Sequence, residues 1–438
     1  MTTKANARHH SPAMMRRVMT ASFIGTTVEF YDFFLYGTAS ALVFNNLFFP
    51  QFSDLAGTIA AFGAFAAGFI ARPIGGLVFG HFGDRVGRKS MLIYSLVGMG
   101  VATTAIGFLP TYAQAGLIAP TLLVLCRLIQ GFAVGGEWGG AVLMAVEHAP
   151  DNRRGLAGSW TQAGAPAGLV LATGAFGLFS LLPPDAFMSW GWRVPFMLSA
   201  LLVVLGLVIR LKMEESPEFE AVRKSGNQSR MPLVDVVKRH PLNIVLAAGA
   251  CMAPFVNFYF FAVFILTYAT HTLGMDRGPV LIIVAIASAI EVATIPLVAS
   301  LSDRLGRRRV FLFGAVLFGL YAYPFFWISS AGSDSVLTLG VLSVIGLSLV
   351  HPFMYGPMAA LFAEMFSPAV RYSGASLGYQ IGAILGGGFA PLIMTYLLDT
   401  GLGAVNVLPP YLVIVSVLTF IAVFFATQPG RHLAVDAR

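Results

Sequence analysis

Four charged side chains stand where an apolar chain seldom tolerates them: Glu29 and Asp32 in the run 19–48, Arg127 and Glu137 in the run 117–147. Helical spacing puts Glu29, Asp32 and Tyr36 on one face, and Arg127, Gln130 and Glu137 on an arc of another. At 1.5 Å of rise per residue, the two carboxylates are expected about 13–18 Å from a helix end near residue 20, close to the middle of a bilayer. An ionised group at that depth costs roughly 2.5–3.5 kcal/mol, so each should face a partner or a polar cavity. Two readings stay open. The charges form structural ion pairs, with Arg127 neutralising Asp32 or Glu29; or one carboxylate loads and releases a proton while Arg127 serves that coupling and holds a substrate carboxylate. Glu137 fits either. Glu291 falls near the middle of its run, Glu147 and Glu364 fall at run ends, and Arg72 stands at an expected helix end before Pro73, which favours a structural role.

Mid-depth polar and aromatic residues supply candidate substrate contacts: Tyr36, Gln130, Gln162, Asn257, Tyr259, His351, Tyr355, Tyr379 and Gln380, besides Arg127. A lone polar group in a span more often ties two helices together than binds a ligand. His351 is either a titrating group or a packing residue beside Pro352; His351-Pro352 and Tyr355-Gly356-Pro357 predict a distorted helix that exposes backbone polar groups. No metal-ligand spacing, phosphate-cradling loop or nucleotide motif is present, so no metal or cofactor is expected. Gly374-Ala-Ser376-Leu-Gly378 imitates a hydrolase nucleophile turn, with Asp399 and His432 following in order. The strand-turn-helix setting that motif needs is absent, so no catalytic residue and no enzyme is expected.

The elements that must position these groups follow from composition. The chain has 438 residues, 57% hydrophobic and only 11% charged. So few charges cannot clothe a soluble globule of this size, which excludes a soluble enzyme, a nucleic-acid binder and a disordered scaffold. Cys126 and Cys251 both lie in apolar runs and imply no disulfide. Twelve apolar runs can each span a bilayer as a helix: 19–48, 55–80, 91–109, 117–147, 155–181, 193–211, 241–273, 279–301, 310–330, 336–366, 372–398 and 409–427. They lack the short alternating segments of a membrane barrel. The first run is too long for a cleaved signal and carries acids. With the N-terminus cytoplasmic, 23 of the 27 lysines and arginines fall on the cytoplasmic side; Arg193 and Arg277 fall outside, and Arg72 and Arg127 within spans. That asymmetry predicts both termini in the cytoplasm of a multi-pass cell-membrane protein. The net charge of +7 then serves orientation, not nucleic acid. The hydrophilic stretch 213–240 reads as a linker between bundles at 1–212 and 241–438.

The chain repeats itself. Asp84-Arg85-Val-Gly87-Arg88 recurs as Asp303-Arg304-Leu-Gly306-Arg307, 219 residues on. Glu147 and Arg154 recur as Glu364 and Arg371, and Gly164 and Gly168 as Gly382 and Gly386, at offsets of 217 and 218. Parallel repeats of this kind suit a carrier whose halves rock about a central site. In each loop the glycine permits a tight turn, the aspartate can meet a helix N-terminus or an arginine, and the basic cluster faces an anionic leaflet. Such contacts form in one rocking state and break in the other; the bland alternative is a mere orientation signal. Gly131, Gly135 and Gly139, like Gly164 and Gly168, predict close helix crossings.

The doubled loop resembles the signature of the major facilitator superfamily over essentially the whole length. More narrowly, the chain resembles the metabolite:proton symporters. Val28-Glu29-Phe30-Tyr31-Asp32-Phe33-Phe34-Leu35-Tyr36-Gly37, Arg72-Pro73-Ile74-Gly75-Gly76, the stretch Arg127 to Ala141, Gly191-Trp192-Arg193-Val194-Pro195-Phe196 and Glu214-Glu215-Ser216-Pro217-Glu218-Phe219 carry that likeness. The second loop departs from the pattern with Ala299 where the first has Gly80. The resemblance implies an all-α membrane protein of twelve helices in two six-helix bundles. It implies proton-coupled symport of a small organic acid or zwitterion, shikimate-like first, with protons, a small-molecule substrate and the bilayer as partners. Dicarboxylates, citrate-like acids, proline or betaine, a proton-driven exporter of the same fold, and a transporter-like nutrient receptor are the alternatives. The osmosensing carriers of that family bear a long C-terminal coiled coil, and this sequence shows no heptads before Arg438.

Overall fold

The computed structural model describes residues 12–86, 88–135, 137–147, 149–211, 238, 241–331, 335–366 and 371–426. Most of the expected linker and the first copy's Gly87 lie outside the described residues, and so do the side chains of Asp84, Arg85 and Arg88. No strand occurs among the described residues. Among the described residues, twelve helical rods follow the twelve apolar runs. In the first half they are α1 (Pro12–Ala39, continued through Asn45–Phe48), α2 (Asp54–Val86), α3 (Arg88–Phe108), α4 (Ile118–Val134, resumed as Glu137–Glu147), α5 (Arg154–Phe179) and α6 (Arg193–Leu211). In the second they are α7 (Pro241–Thr272), α8 (Arg277–Leu305), α9 (Arg307–Ser330), α10 (Val336–Met365), α11 (Arg371–Gly382, continued to Asp399) and α12 (Ala404–Phe425).

Among the described residues, nine helices are long and apolar enough to cross a membrane. A tenth span, α6 with the short helix before it, is bent by 43°. The other two rods are α1 and α3. The first is diluted in hydropathy by Glu29 and Asp32, and the second is apolar over Ile93–Phe108, a shorter stretch than the other spans. Apolar side chains at three- and four-residue spacing face outward, as Leu201, Val204, Leu205 and Val208 do on α6, and Ile414, Val417, Leu418 and Ile421 on α12. In water these stripes would be a liability; against lipid tails they are the natural surface. Helix α7 is the opposite case, buried over nearly its whole length at the centre.

Glycine sets how closely the rods approach. A Cβ at Gly131 of α4 would run into the Gly68 carbonyl of α2, and one at Gly75 into the Phe132 carbonyl. That crossing brings Arg72 and Arg127 together. On α5, a Cβ at Gly168 would come within 2.6 Å of the Tyr31 nitrogen of α1. The repeat partner Gly386 on α11 meets the Met252 carbonyl of α7 at 2.9 Å. The repeated glycines therefore do one job twice.

The expected helix end at Arg72 is not there. Helix α2 runs on to Val86 with Pro73 inside it, because Gly75 and Gly76 pack tightly on α4. Arg72 is thus a mid-helix residue. The distortion expected in α10 is present: a π-helical stretch, Val344–Val350, directly precedes His351-Pro352. Further π-helical turns interrupt α1 (Ser40–Phe44), α7 (Phe260–Phe264 and Tyr268–Thr272) and α11 (Ala383–Gly388). Such insertions cluster at functional sites.

Candidate substrate and coupling site

The centre of the molecule is built on one ring. Phe33 of α1 packs against Phe65 and Phe69 of α2, at centroid distances of 5.1 and 4.9 Å, and Tyr259 of α7 joins at 6.3 Å. Two guanidinium groups approach that ring, Arg72 at 4.3 Å and Arg127 at 4.7 Å from its centroid. Arg127 also sits over Tyr36 at 4.2 Å and Phe65 at 4.9 Å. Both arginines are buried. Aromatic faces attract cations, which offsets part of the cost of burial.

Arg127 forms no ion pair with Asp32. Its guanidinium donates to the Gln130 side-chain oxygen at 2.9 Å and to the Phe65 carbonyl at 3.3 Å. Gln130 in turn donates to the Thr103 hydroxyl at 2.6 Å. Thr103 stands beside Asp32, whose carboxylate also accepts from the Ser199 hydroxyl. The direct pair is therefore replaced by a polar chain, Arg127–Gln130–Thr103, which runs through α4 and α3 and ends beside Asp32 of α1; the Thr103 hydroxyl itself donates to the Met99 carbonyl at 3.0 Å. Arc placement alone favoured contact, but Asp32 turns into the first bundle, toward α3 and α6.

Glu29, a turn earlier, turns the other way. It lines a small cavity with Thr26, Phe30, Arg72, Val134, Trp138, Thr161, Tyr379 and Gln380. With about 20 Å³ of free space this cavity admits a water molecule, not a metabolite. Glu137 forms an ion pair with Arg210 of α6, an arginine whose charge Glu29 also feels, and accepts from the Ser95 hydroxyl at 3.3 Å.

Several expected substrate contacts tie helices across the two halves. Gln380 of α11 donates to the Gly135 carbonyl of α4 at 2.8 Å. Gln162 of α5 accepts from the Trp138 indole at 2.9 Å and donates to the Tyr355 carbonyl of α10 at 3.4 Å. Trp138 stacks on Tyr379 at 3.7 Å. Asn257 donates to the Gly346 carbonyl at 3.4 Å, within the second half. His351 pairs with Glu291 of α8.

Around this core, buried polar atoms have no hydrogen-bond partner in the protein: Tyr36 and Tyr259 Oη, Arg72 and Arg127 Nε, Asn257 Oδ1, Tyr379 Oη and Gln380 Oε1. Native interiors leave few such atoms, so a cluster of them at one place has the character of a ligand site.

At the end carrying the α8–α9 turn, the second loop motif is fully described. Gly306 adopts φ 96°, which turns the chain between the two helices. The Asp303 carboxylate accepts from the Gly155 and Leu156 amides at the start of α5, at 2.9 and 3.0 Å. Arg307 donates to Asp303 at 2.9 Å and pairs with Glu364 of α10. Arg304 is exposed and takes no part. One loop of the second half thus caps a helix of the first.

The sequence pattern of the Major Facilitator Superfamily matches residues 22–352 and again 246–437. The chain belongs to the major facilitator superfamily. It is 43% identical, over 98% of both chains, to the inner membrane metabolite transport protein YhjE of Escherichia coli K12. It is 43% identical to the shikimate transporter of the same organism, over 87% of this chain and 88% of that one. It is 33% identical to the proline/betaine transporter of that organism, over 93% and 82%. The solved proton:xylose symporter XylE, bound to 6-bromo-6-deoxy-D-glucose, superposes with a TM-score of 0.72 over 94% of each chain at 19% identity. This member of the superfamily is accordingly a multi-pass membrane transporter and not an enzyme.

Residue reading missed three parts of this transporter's centre. Thr103 and Ser199, the partners of Asp32, are ordinary hydroxyls in apolar runs and carry no signal of their own. Phe33, Phe65 and Phe69 were indistinguishable from core. Arg72 was placed at a helix end, although its repeat position, 219 residues before the intramembrane Glu291, marked it as a mid-span charge.

Proposed function

We propose that this chain is a proton-coupled symporter of a small organic acid, a shikimate-like hydroxylated carboxylate first, working by alternating access between bundles 1–212 and 241–438. The observation that carries the reading is the pair of buried guanidiniums, Arg72 and Arg127, neither in a close ion pair with a carboxylate. Both approach one ring, which leaves the guanidinium carbons within about 9 Å of each other. Glu29 borders the cavity beside Arg72, so Arg127 is the cation without a carboxylate neighbour; held dry it is unfavourable, and a substrate carboxylate relieves it. The unpartnered Tyr36, Tyr259, Asn257, Tyr379 and Gln380 atoms then serve the substrate's hydroxyls. Names of relatives support the substrate class, and XylE's supports the coupling ion.

Asp32 and Glu29 are the proton-coupling carboxylates of this reading. Asp32 communicates with Arg127 through Gln130 and Thr103, and Glu29 borders the cavity beside Arg72. Glu137 braces α4 against α6 through Arg210. The Asp303 cap is a latch at the cytoplasmic end, formed when that end closes and broken when it opens; Asp84, Arg85, Gly87 and Arg88 are its counterpart in the first half. The lysine and arginine asymmetry supports that sidedness and cytoplasmic termini.

A zwitterionic osmolyte is the second reading. The rings of Phe33, Phe69 and Tyr259 would receive a quaternary ammonium as readily as they receive guanidinium. A radiolabelled panel of shikimate, dicarboxylates, citrate, proline and betaine, tested in cells lacking endogenous carriers, separates them. Uptake should collapse with a protonophore. Uptake that follows sodium and ignores pH at fixed voltage refutes proton coupling, and efflux under an inward proton gradient points to an exporter.

A further inference from the structure

The second bundle holds a charged pair that the substrate site does not use. Glu291 of α8 and His351 of α10 are wholly buried, with Glu291 Oε1 against His351 Nδ1. The other two heteroatoms, Glu291 Oε2 and His351 Nε2, make no hydrogen bond of good geometry within the protein, although the Pro254 backbone of α7 lies beside the imidazole. No lysine or arginine occurs in the interior of α5, α7, α9 or α11, or in the Glu137–Glu147 part of α4, the helices packed around α8 and α10; that part of α4 carries Glu137 and Glu147 at its ends. The titratable group facing the pair is Tyr355 of α10, which stacks on His351 and feels the charge of Glu291; Cys251 and Tyr259 of α7 and Tyr379 of α11 lie behind it, around Tyr355, and all four are hydroxyl or thiol groups.

We propose that Glu291 and His351 form a proton-binding site of the second bundle, distinct from the carboxylates of α1, that takes up one proton when the bundles close around it. The inference rests on the proton-coupled reading above. With Glu291 ionised and His351 neutral, the pair carries one net negative charge in a dry place with no cation. One added proton makes it neutral, whether that proton resides on Oε1 or as the second proton of the imidazole. The proton comes from water when the site is hydrated and returns to water when the opposite side opens; no other bond forms or breaks.

The pair is placed to signal its charge. The His351 ring stacks on Tyr355 at 4.8 Å and packs on Phe258 of α7 at 5.4 Å. The Tyr355 carbonyl receives the Gln162 amide, and Gln162 holds Trp138, which stacks on cavity-lining Tyr379. A change of charge on the pair therefore acts one contact away, through the His351–Tyr355 stack, from an inter-bundle hydrogen bond. Repeat symmetry adds to the case. Glu291 stands 219 residues after Arg72, so one position carries a cation in the first half and a proton acceptor in the second.

The test uses purified full-length protein and needs no substrate for its first arm. Infrared spectra at near-neutral pH should contain the carbonyl stretch of a neutral carboxylic acid, or the ring modes of an imidazolium. Glu291→Gln should remove one of these signatures, and Asp32→Asn should leave it. Loss of neither signature in Glu291→Gln overturns the proposal. The second arm compares counterflow with gradient-driven accumulation in vesicles, using whichever panel acid the wild type carries. Glu291→Gln and His351→Asn should keep counterflow, which shows that they fold, and lose accumulation. Normal accumulation in both variants also overturns the proposal. A wild type indifferent to the proton gradient would refute the symport reading instead, and the infrared arm then decides the pair alone.

Discussion

Arg127→Met separates a binding arginine from a structural one, because the two roles move stability and affinity in opposite ways. If Arg127 neutralised a buried carboxylate, its loss would strand that charge and cost about 3–5 kcal/mol. Arg127 instead contacts Gln130, the Phe65 carbonyl and three aromatic rings. Methionine preserves the packing on the rings and removes a buried cation. Gln130 loses a donor, at about 1–3 kcal/mol, and the relief of a dry charge offsets it. The net change in Tm should be small. Affinity should behave otherwise. A carboxylate held by two charge-assisted hydrogen bonds, each at the low end of about 1.5 kcal/mol, loses about 3 kcal/mol, a weakening on the order of a hundredfold. Arg127→Lys keeps the charge without the fork and should recover only part of it. The assay is equilibrium binding and counterflow on reconstituted protein, beside thermal unfolding in the same detergent. Affinity within about threefold of wild type, or unfolding at markedly lower temperature, would refute the reasoning.

The other expectations are briefer. Asp32→Asn keeps the Ser199 and Thr103 contacts, so it should retain exchange in counterflow and lose gradient-driven accumulation; normal accumulation removes Asp32 from the proton path. Gln130→Leu should cut the polar chain, so that the coupling between Asp32→Asn and Arg127→Met in a double-mutant cycle drops to about 0.5 kcal/mol or less; undiminished coupling would mean another route. Asp303→Asn weakens the cap on α5 far from the centre, so turnover should change and equilibrium substrate affinity should not; the reverse result rejects the latch. Gly131→Ala drives a methyl into the Gly68 carbonyl and should destabilise by about 1–3 kcal/mol, whereas Gly174→Ala, with open space around it, should not, as read from paired unfolding curves.

Much of this architecture was legible in the residues because bilayers demand coarse signals. Length, hydropathy and the duplicated Asp-Arg-x-Gly-Arg loop are long-range patterns, and the glycine pairs at Gly164/Gly168 and Gly382/Gly386 reported the α1–α5 and α7–α11 crossings. The central charges were visible too, since each is exceptional in an apolar run. Their partners were not. Helical spacing gives the face a residue occupies, not the rotation of its helix against neighbours. Asp32 and Glu29 share a face by spacing, yet one turns to α3 and α6 and the other to the cavity, a difference of under one turn. Arg72 was misplaced for a similar reason: Pro73 reads as a stop, and only the tight α2–α4 crossing explains why the helix passes through it.

The ties between the halves have a common grammar. Gln380 donates to the Gly135 carbonyl, Gln162 to the Tyr355 carbonyl, and Asp303 accepts from the Gly155 and Leu156 amides. In each, a side chain of one half grips the main chain of the other. Substituting the gripped residue leaves its peptide group in place, so mutational damage should be one-sided: severe at Gln380, Gln162 and Asp303, and mild at Tyr355 and Leu156 as far as these bonds go. Correlated change between the halves would not register these contacts, because the gripped position has nothing to adjust. A duplicated chain can therefore acquire such a tie by a single replacement in one copy, which lets the two halves diverge in their central chemistry without losing their hold on each other.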